Sequence, residues 1–400
     1  GIRDVLGSRG LGDVYKRQDW NDALDMASER GESVAFTCAY AGNLRELAEL
    51  IRALADTGSV KTTDLLEELE VLLKDDKELY DNISEKQQVL ARFTSLCRHH
   101  VSGRRKTFSL LSLAENLEHK AQWLSGHIRK QEWIQAGQGE GWFNSYYDNH
   151  GQAVEGIRED QVRMMLTGQV FAIMGEVAED PQIRSIIKSA DHYLYEKEIG
   201  GYRLNTDFHE LKFDLGRMFG FAYGEKENGA VFSHMAVMYG NALYRRGYAK
   251  EGWKVLKSLS DTALDFNTSR IYPGIPEYFR SDGRGMYHYL TGAASWYMLT
   301  MVTQVFGVRG EGGDLIIAPK LLAEQFDSQG KASIRISFAN KTLDVIFENA
   351  DRKDYGNYTL ASAVCEGREL PVVDNSYGVL SQKTLDSLGD GLHSVTIKLI

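Results

Sequence analysis

Proline is scarce, with five in 400 residues. A chain with so few breakers can hold long, uninterrupted helices. Two of the five, Pro273 and Pro276, fall in one loop, IYPGIPEYF, and a loop stiffened twice suits the positioning of functional groups. Cysteine is scarcer still. Cys38, Cys97 and Cys365 are far apart and form no CxxC, which excludes a disulfide framework and a thiolate zinc site. Such thiols suit a reducing compartment, and the expected location is cytoplasmic. No run of about 18 apolar residues exists, so no transmembrane helix is predicted. Positive charge is also in deficit: 46 Lys and Arg face 56 Asp and Glu, a net charge of −10. That balance argues against nucleic acid or an anionic membrane as partner, because both need clustered basic residues.

What is present begins abruptly. Residues 8 to 24 read SRGLGDVYKRQDWNDAL, a basic, glycine-studded stretch running straight into an acidic one. Gly1 to Asp4, three arbitrary residues and then Ser8 to Gln18 resemble a translated sequencing adapter with an index in its middle. Residues 1–18 are therefore set aside from fold reasoning, and residues 19–400 are expected to be the C-terminal part of a longer protein. A hydrophobic share of 43% suffices for a large core, and the length suits two or three domains.

From Gly31 to about Gly310 the pattern is helical. Val34, Leu44, Leu47, Leu50, Ile51 and Leu54 fall on one stripe that stops at Gly58. Asp64 with Glu67 and Ser84 with Gln87 have the spacing of helix caps, and Asp180-Pro181 that of a helix start. Further helices are predicted at 159–178, 181–195, 231–247, 249–260 and 286–306. The stretch 60–135 reads as a charged helical insertion. In its middle, Cys97, His99 and His100 have no second ligand pair at a metal-site spacing, so no metal is expected. After Gly310 the period becomes two: SIRISF, TLDVIF, YTLASAV and SVTIKLI alternate as strands do. The reading is a helical domain over 19–312 followed by a small antiparallel β domain over 313–400.

Three clusters can carry chemistry. DWNDALD sets Trp20, a platform for the apolar face of a sugar, beside Asp19 and Asp22, either able to serve as a general acid. Asp22 equally fits a helix cap, with Trp20 in the core. KENGAVFSH places Glu227 before a helix that carries His234 in its first turns, where backbone N–H groups attract anions; a capped helix with a core histidine reads as well. GRGMYHYLTGAASW follows an aromatic run, Tyr287, His288 and Tyr289, with Thr291-Gly292. That pair suits a phosphate oxygen, though a buried helix with a small-residue face fits too.

Taken together and in this order, DWNDALD, EKENGAVFSHMA and YPGIPEYF…GRGMYHYLTGAASW resemble the inverting glycoside phosphorylases of the cellobiose and cellodextrin phosphorylase family. The resemblance covers roughly residues 19–400. It implies a partial (α/α)6 barrel followed by the β domain, Asp22 as general acid, and Trp20 lining the subsite of the transferred sugar. It further implies that Glu227 binds hydroxyls of that sugar and that His234, Thr291 and Gly292 bind phosphate. The family's Trp-Thr-Trp-Tyr before Thr-Gly is replaced here by Tyr287, His288, Tyr289 and Leu290, so Tyr287 and Tyr289 are the substrate-contacting candidates and acceptor preference is open. The remaining wording is closer to cellodextrin phosphorylases.

The implied reaction is phosphorolysis of β-linked gluco-oligosaccharides to α-glucose 1-phosphate, with phosphate as co-substrate and no cofactor. An inverting hydrolase needs an acid and a base carboxylate; a phosphorylase can omit the base because phosphate arrives as an anion. Rival readings are a phosphorylase for β-1,3- or β-1,2-glucan or chitobiose, and an inverting hydrolase with Glu227 or Glu277 as base. A non-catalytic carbohydrate-binding barrel is the third. The family also implies a homodimer for the full-length protein, and low activity for this part of it alone.

Overall fold

The computed structural model describes residue 24 and residues 26–159, 161–272, 274–287 and 291–400. The segment 1–18, Trp20, Asp22 and Tyr289 lie outside the described residues. The chain is mainly helical with small sheets, and it packs as two compact units. One comprises the described residues up to Phe232 together with Tyr278–Gly283; the other comprises Ser233–Glu277 and Arg284–Ile400. The division falls within the segment read from sequence as one helical domain.

In the first unit, helix α1 spans Val34–Asp56, and Ser33 caps it by accepting the Phe36 N–H at 3.1 Å. Its packed face is made of small residues: Ala35, Cys38, Ala41 and Ala48 are fully buried, whereas Leu47, Leu50 and Leu54 of the expected stripe are exposed. Close helix packing explains this. The facing helix, α3 below, presents buried Ala114 and Ala121, and two alanine faces approach nearer than leucines allow. Next, β1 (Thr62–Leu66) pairs antiparallel with β2 (Arg105–Ser109), and between them lies α2 (Ile83–Cys97). Both caps expected here are corrected. Asp64 sits in β1, where flanking β-branched threonines favour a strand, and accepts the Thr107 hydroxyl across the ladder at 2.6 Å. Asn82, not Ser84, caps α2 by accepting the Glu85 N–H at 3.2 Å.

Helix α3 (Leu110–Gln131) follows, then a loop-rich stretch, then α4 (Leu166–Met174), which is buried along nearly its whole length. The predicted start at 159 is too early, because Gln161–Arg163 pairs as a strand with Gly156–Arg158. Helix α5 (Asp180–Tyr193) begins with Glu179 and Gln182 capping reciprocally and Pro181 in its first turn.

The second unit holds α6 (Ser233–Arg245), α7 (Ala249–Leu264) and α8 (Gly292–Thr300). The helix predicted over 286–306 begins six residues later, because Gly285–Met286 is extended. Two sheets follow. One joins Val308–Glu311, Asp314–Ile317, Tyr377–Leu380 and Val372–Val373, all antiparallel. The other contains β3 (Lys331–Phe338), β4 (Lys341–Glu348), β5 (Leu360–Cys365) and β6 (Leu392–Leu399), with Leu343, Val345 and Phe347 buried beside Val395 and Ile397. It is not antiparallel throughout: β6 lies parallel to β4, because the chain crosses over before its last strand inserts between β4 and β5.

Candidate active site

Two groups of the residues named from sequence are defined, one in each unit. In the second unit, His234 stands at the second position of α6 and Thr291 directly precedes α8. The Thr291 hydroxyl accepts the Ala293 N–H at 2.9 Å, which caps α8 and fixes its first turn. The His234 ring packs directly on Gly292. A β-carbon at residue 292 would come within 2.5 Å of His234 Cε1 and 2.6 Å of its Nδ1, so any larger residue there requires the ring to shift. Farther along, Asn241 of α6 donates to the Thr300 hydroxyl of α8 at 3.1 Å, a buried bond that locks the two helices together. Burial holds the His234 pKa below its ordinary value of 6.5, so the imidazole is neutral at pH 7. The arrangement sets the N-terminus of α8 and the Thr291 hydroxyl beside the imidazole that α6 packs on Gly292. Those groups supply hydrogen-bond donors and the positive end of a helix dipole to an anion.

Tyr287 belongs to the same unit and has a left-handed backbone, with φ of 56°. Such a conformation in an aromatic residue is strained and must be imposed by its surroundings. Part of the imposition is visible: the Glu277 N–H donates to both the Met286 and Tyr287 carbonyls, at 3.1 and 3.2 Å. Glu277 in turn accepts the Ser233 N–H through its own carbonyl at 2.9 Å, tying this stretch to the start of α6.

Glu227 lies in the first unit, on a turn closed by the Gly224 N–H to the Asn228 carbonyl at 2.7 Å. The residue is only 9% exposed, and its Oε2 is buried without a hydrogen-bond partner. A desolvated carboxylate oxygen left in that state costs about 1–3 kcal/mol or more, and in native proteins it calls for an explanation. A ligand hydroxyl is one that fits its chemistry.

Sequence reasoning missed the residues that hold this turn, Arg203 and Asn205, which lie in GYRLNTDF between two predicted helices. It also missed two buried carboxylates. Asp148 pairs with Lys212 at 3.2 Å, with both side chains nearly inaccessible. Glu155 accepts the Ser145 and Met165 N–H groups, and burial pushes its carboxyl up to about 8. None of the four stands in a motif or an apolar run that would single it out in the sequence. Among the described residues, no cluster of three or more His, Cys, Asp or Glu side chains converges as a metal site.

With this geometry in hand, similarity to known proteins is informative. Residues 90–307, more than half of the chain, match the family model described as the glycosyl hydrolase 94 superfamily, catalytic domain. A cellobionic acid phosphorylase from Neurospora crassa is 28% identical over 183 residues, covering 42% of this chain and 23% of that protein. A solabiose phosphorylase from Paenibacillus borealis is 24% identical over 252 residues, or 61% of this chain and 32% of that one. An N,N'-diacetylchitobiose phosphorylase from Vibrio proteolyticus is 22% identical over 247 residues, or 59% and 30%. The chain spans about a quarter to a third of the length of these curated relatives.

Proposed function

Because this chain belongs to the glycosyl hydrolase 94 superfamily, we propose that the protein carrying it is an inverting β-glycoside phosphorylase, acting on cellodextrins. The observation that carries the reading is the packing of the His234 ring on Gly292, beside the Thr291 cap of α8. That is a place for an oxyanion, and phosphate is the anion the chemistry requires. The names of the relatives support the class, since each is a phosphorylase of a disaccharide.

The mechanism follows from what each group can do. Glu227 accepts hydroxyls of the transferred glucosyl unit, which gives its orphaned Oε2 a partner. Trp20 lines the apolar face of that sugar, Tyr287 and Tyr289 contact the substrate, and His234, Thr291 and Gly292 hold phosphate. A phosphate oxygen attacks the anomeric carbon as the bond from that carbon to the leaving oxygen breaks. The electron pair goes to that oxygen, which takes a proton from Asp22. Attack from the opposite face turns a β-glucoside into α-glucose 1-phosphate. In reverse, Asp22 takes the acceptor's proton and the chain is lengthened. No second carboxylate is needed, and the fold proposed for the helical part is an (α/α)6 barrel.

The substrate assignment is tested with the complete protein, α-glucose 1-phosphate and a panel of acceptors. Cellobiose and longer cellodextrins are expected to be extended through β-1,4 bonds. Products linked only β-1,3 or β-1,2, or exclusive use of N-acetylglucosamine, would reassign the linkage while leaving the reaction class intact. Asp22→Asn is expected to abolish turnover with sugar binding retained; unchanged turnover would make Asp22 a helix cap.

A further inference from the structure

The side chain of Glu227 does not fix its own position. Its Oε2 makes no hydrogen bond, and it is flanked by Lys226, with φ of 50°, and, two residues on, Gly229, with φ of 77°. Glycine takes that conformation freely, but a lysine does not, so the turn's shape at Lys226 is imposed by its surroundings. Two side chains supply that shape. Asn205, fully buried, accepts the Gly229 N–H at 2.8 Å through Oδ1 and donates through Nδ2 to Asn228 Oδ1 at 3.2 Å. Asn228 passes the constraint on, donating to the Phe221 carbonyl at 2.8 Å.

Arg203, two residues before Asn205, donates through Nη1 to the Gly229 carbonyl at 2.5 Å. Its remaining nitrogens form a fork on Glu196 at 2.8 and 3.0 Å, and its guanidinium lies 5.3 Å from the centre of the Tyr223 ring. Tyr223 closes the assembly. Its hydroxyl donates to the Asn205 carbonyl at 3.2 Å, and its ring fills the space where a β-carbon on residue 229 would stand, 2.2 Å away. Both polar groups of the Gly229 backbone are thus pinned, the N–H by Asn205 and the carbonyl by Arg203.

We propose that Asn205 and Arg203 are positioning residues for Glu227, setting the aim of its carboxylate on the transferred sugar without touching that sugar themselves. The proposal rests on the reading that Glu227 binds the sugar. It predicts a defect confined to the sugar and acting only through Glu227. A displacement of about 1 Å can lower turnover ~100-fold, and residues that work as a unit are non-additive.

The test is a double-mutant cycle in the complete protein, with kcat and KM measured separately for cello-oligosaccharide and phosphate. Asn205→Ala is expected to lower kcat/KM for the sugar ~10- to 100-fold while KM for phosphate changes less than about threefold. Glu227→Ala is expected to be at least as damaging, and the double variant no worse than Glu227→Ala alone. Arg203→Lys, which keeps the charge but loses the fork, runs the same cycle should Asn205→Ala not fold. A costly Glu227→Ala with fully additive losses in the double variant would overturn the positioning role alone. Unchanged sugar kinetics in Glu227→Ala would overturn the reading of Glu227, and the positioning role with it.

Discussion

A methyl group at residue 292 has nowhere to go, because the His234 ring already occupies its place. Gly292→Ala is therefore expected to push the imidazole aside and raise KM for phosphate ~10- to 100-fold, with KM for the sugar little altered. Equal effects on both substrates, measured by initial rates, would contradict this. His234 supplies a second test at the same scale. Burial holds its pKa below 6.5, so the folded protein binds fewer protons here than the unfolded chain, and this group's stability contribution is lost as pH falls through that range. A bound phosphate dianion favours the charged ring. The His234 proton resonance should thus titrate at higher pH with phosphate than without it, and an unmoved titration would separate the residue from the anion. His234, Thr291 and Gly292 were picked out in the sequence because they stand in short motifs, and the structure brings the His234 ring against Gly292. Arg203 and Asn205 were not, since their meaning lies in contacts with a turn about 24 residues away in the chain.

Among the elements, α1 shows how a pattern can place a helix and still mislead about its face. The stop read at Gly58 falls two residues beyond its observed end at Asp56, but alanines and Cys38 are the buried side and the leucines are not. Hydrophobic periodicity counts apolar residues and does not register how near a neighbouring backbone comes. Ala48→Leu is expected to destabilise the protein by about 1–3 kcal/mol through overpacking. Leu50→Ala, at a site 66% exposed, should stay within about 0.5 kcal/mol. Chemical denaturation would check both, and a reversed order would contradict the packing described here. Glu155 makes the element around it sensitive to pH. Its carboxyl is raised by burial to about 8 in the fold, against an ordinary 4.5. The folded state therefore holds the extra proton between those values, and the contribution is full below about pH 4.5 and lost as pH rises toward 8. Glu155→Gln leaves an amide group facing one of two N–H donors and should be less stable at pH 5. It should also lose less stability between pH 5 and 8, by up to ~1.4 kcal/mol per pH unit. Identical slopes in the two proteins would show that Glu155 does not carry the proton.

Across the whole molecule, the change of period near Gly310 announced the strands that follow, because alternation survives wherever one face of a sheet is buried. The parallel pairing of β4 and β6 was invisible, since alternation carries no direction and the last strand's insertion depends on the crossover before it. The proposed chemistry rests on a conjunction of motifs, and the acid proposed for it, Asp22, is reached through resemblance alone. The central claim is that phosphate, not water, receives the sugar. The complete protein should be incubated with cello-oligosaccharide, with and without inorganic phosphate, and its products quantified. The account predicts α-glucose 1-phosphate in proportion to added phosphate and negligible cleavage without it; free glucose released at the same rate in both would contradict it.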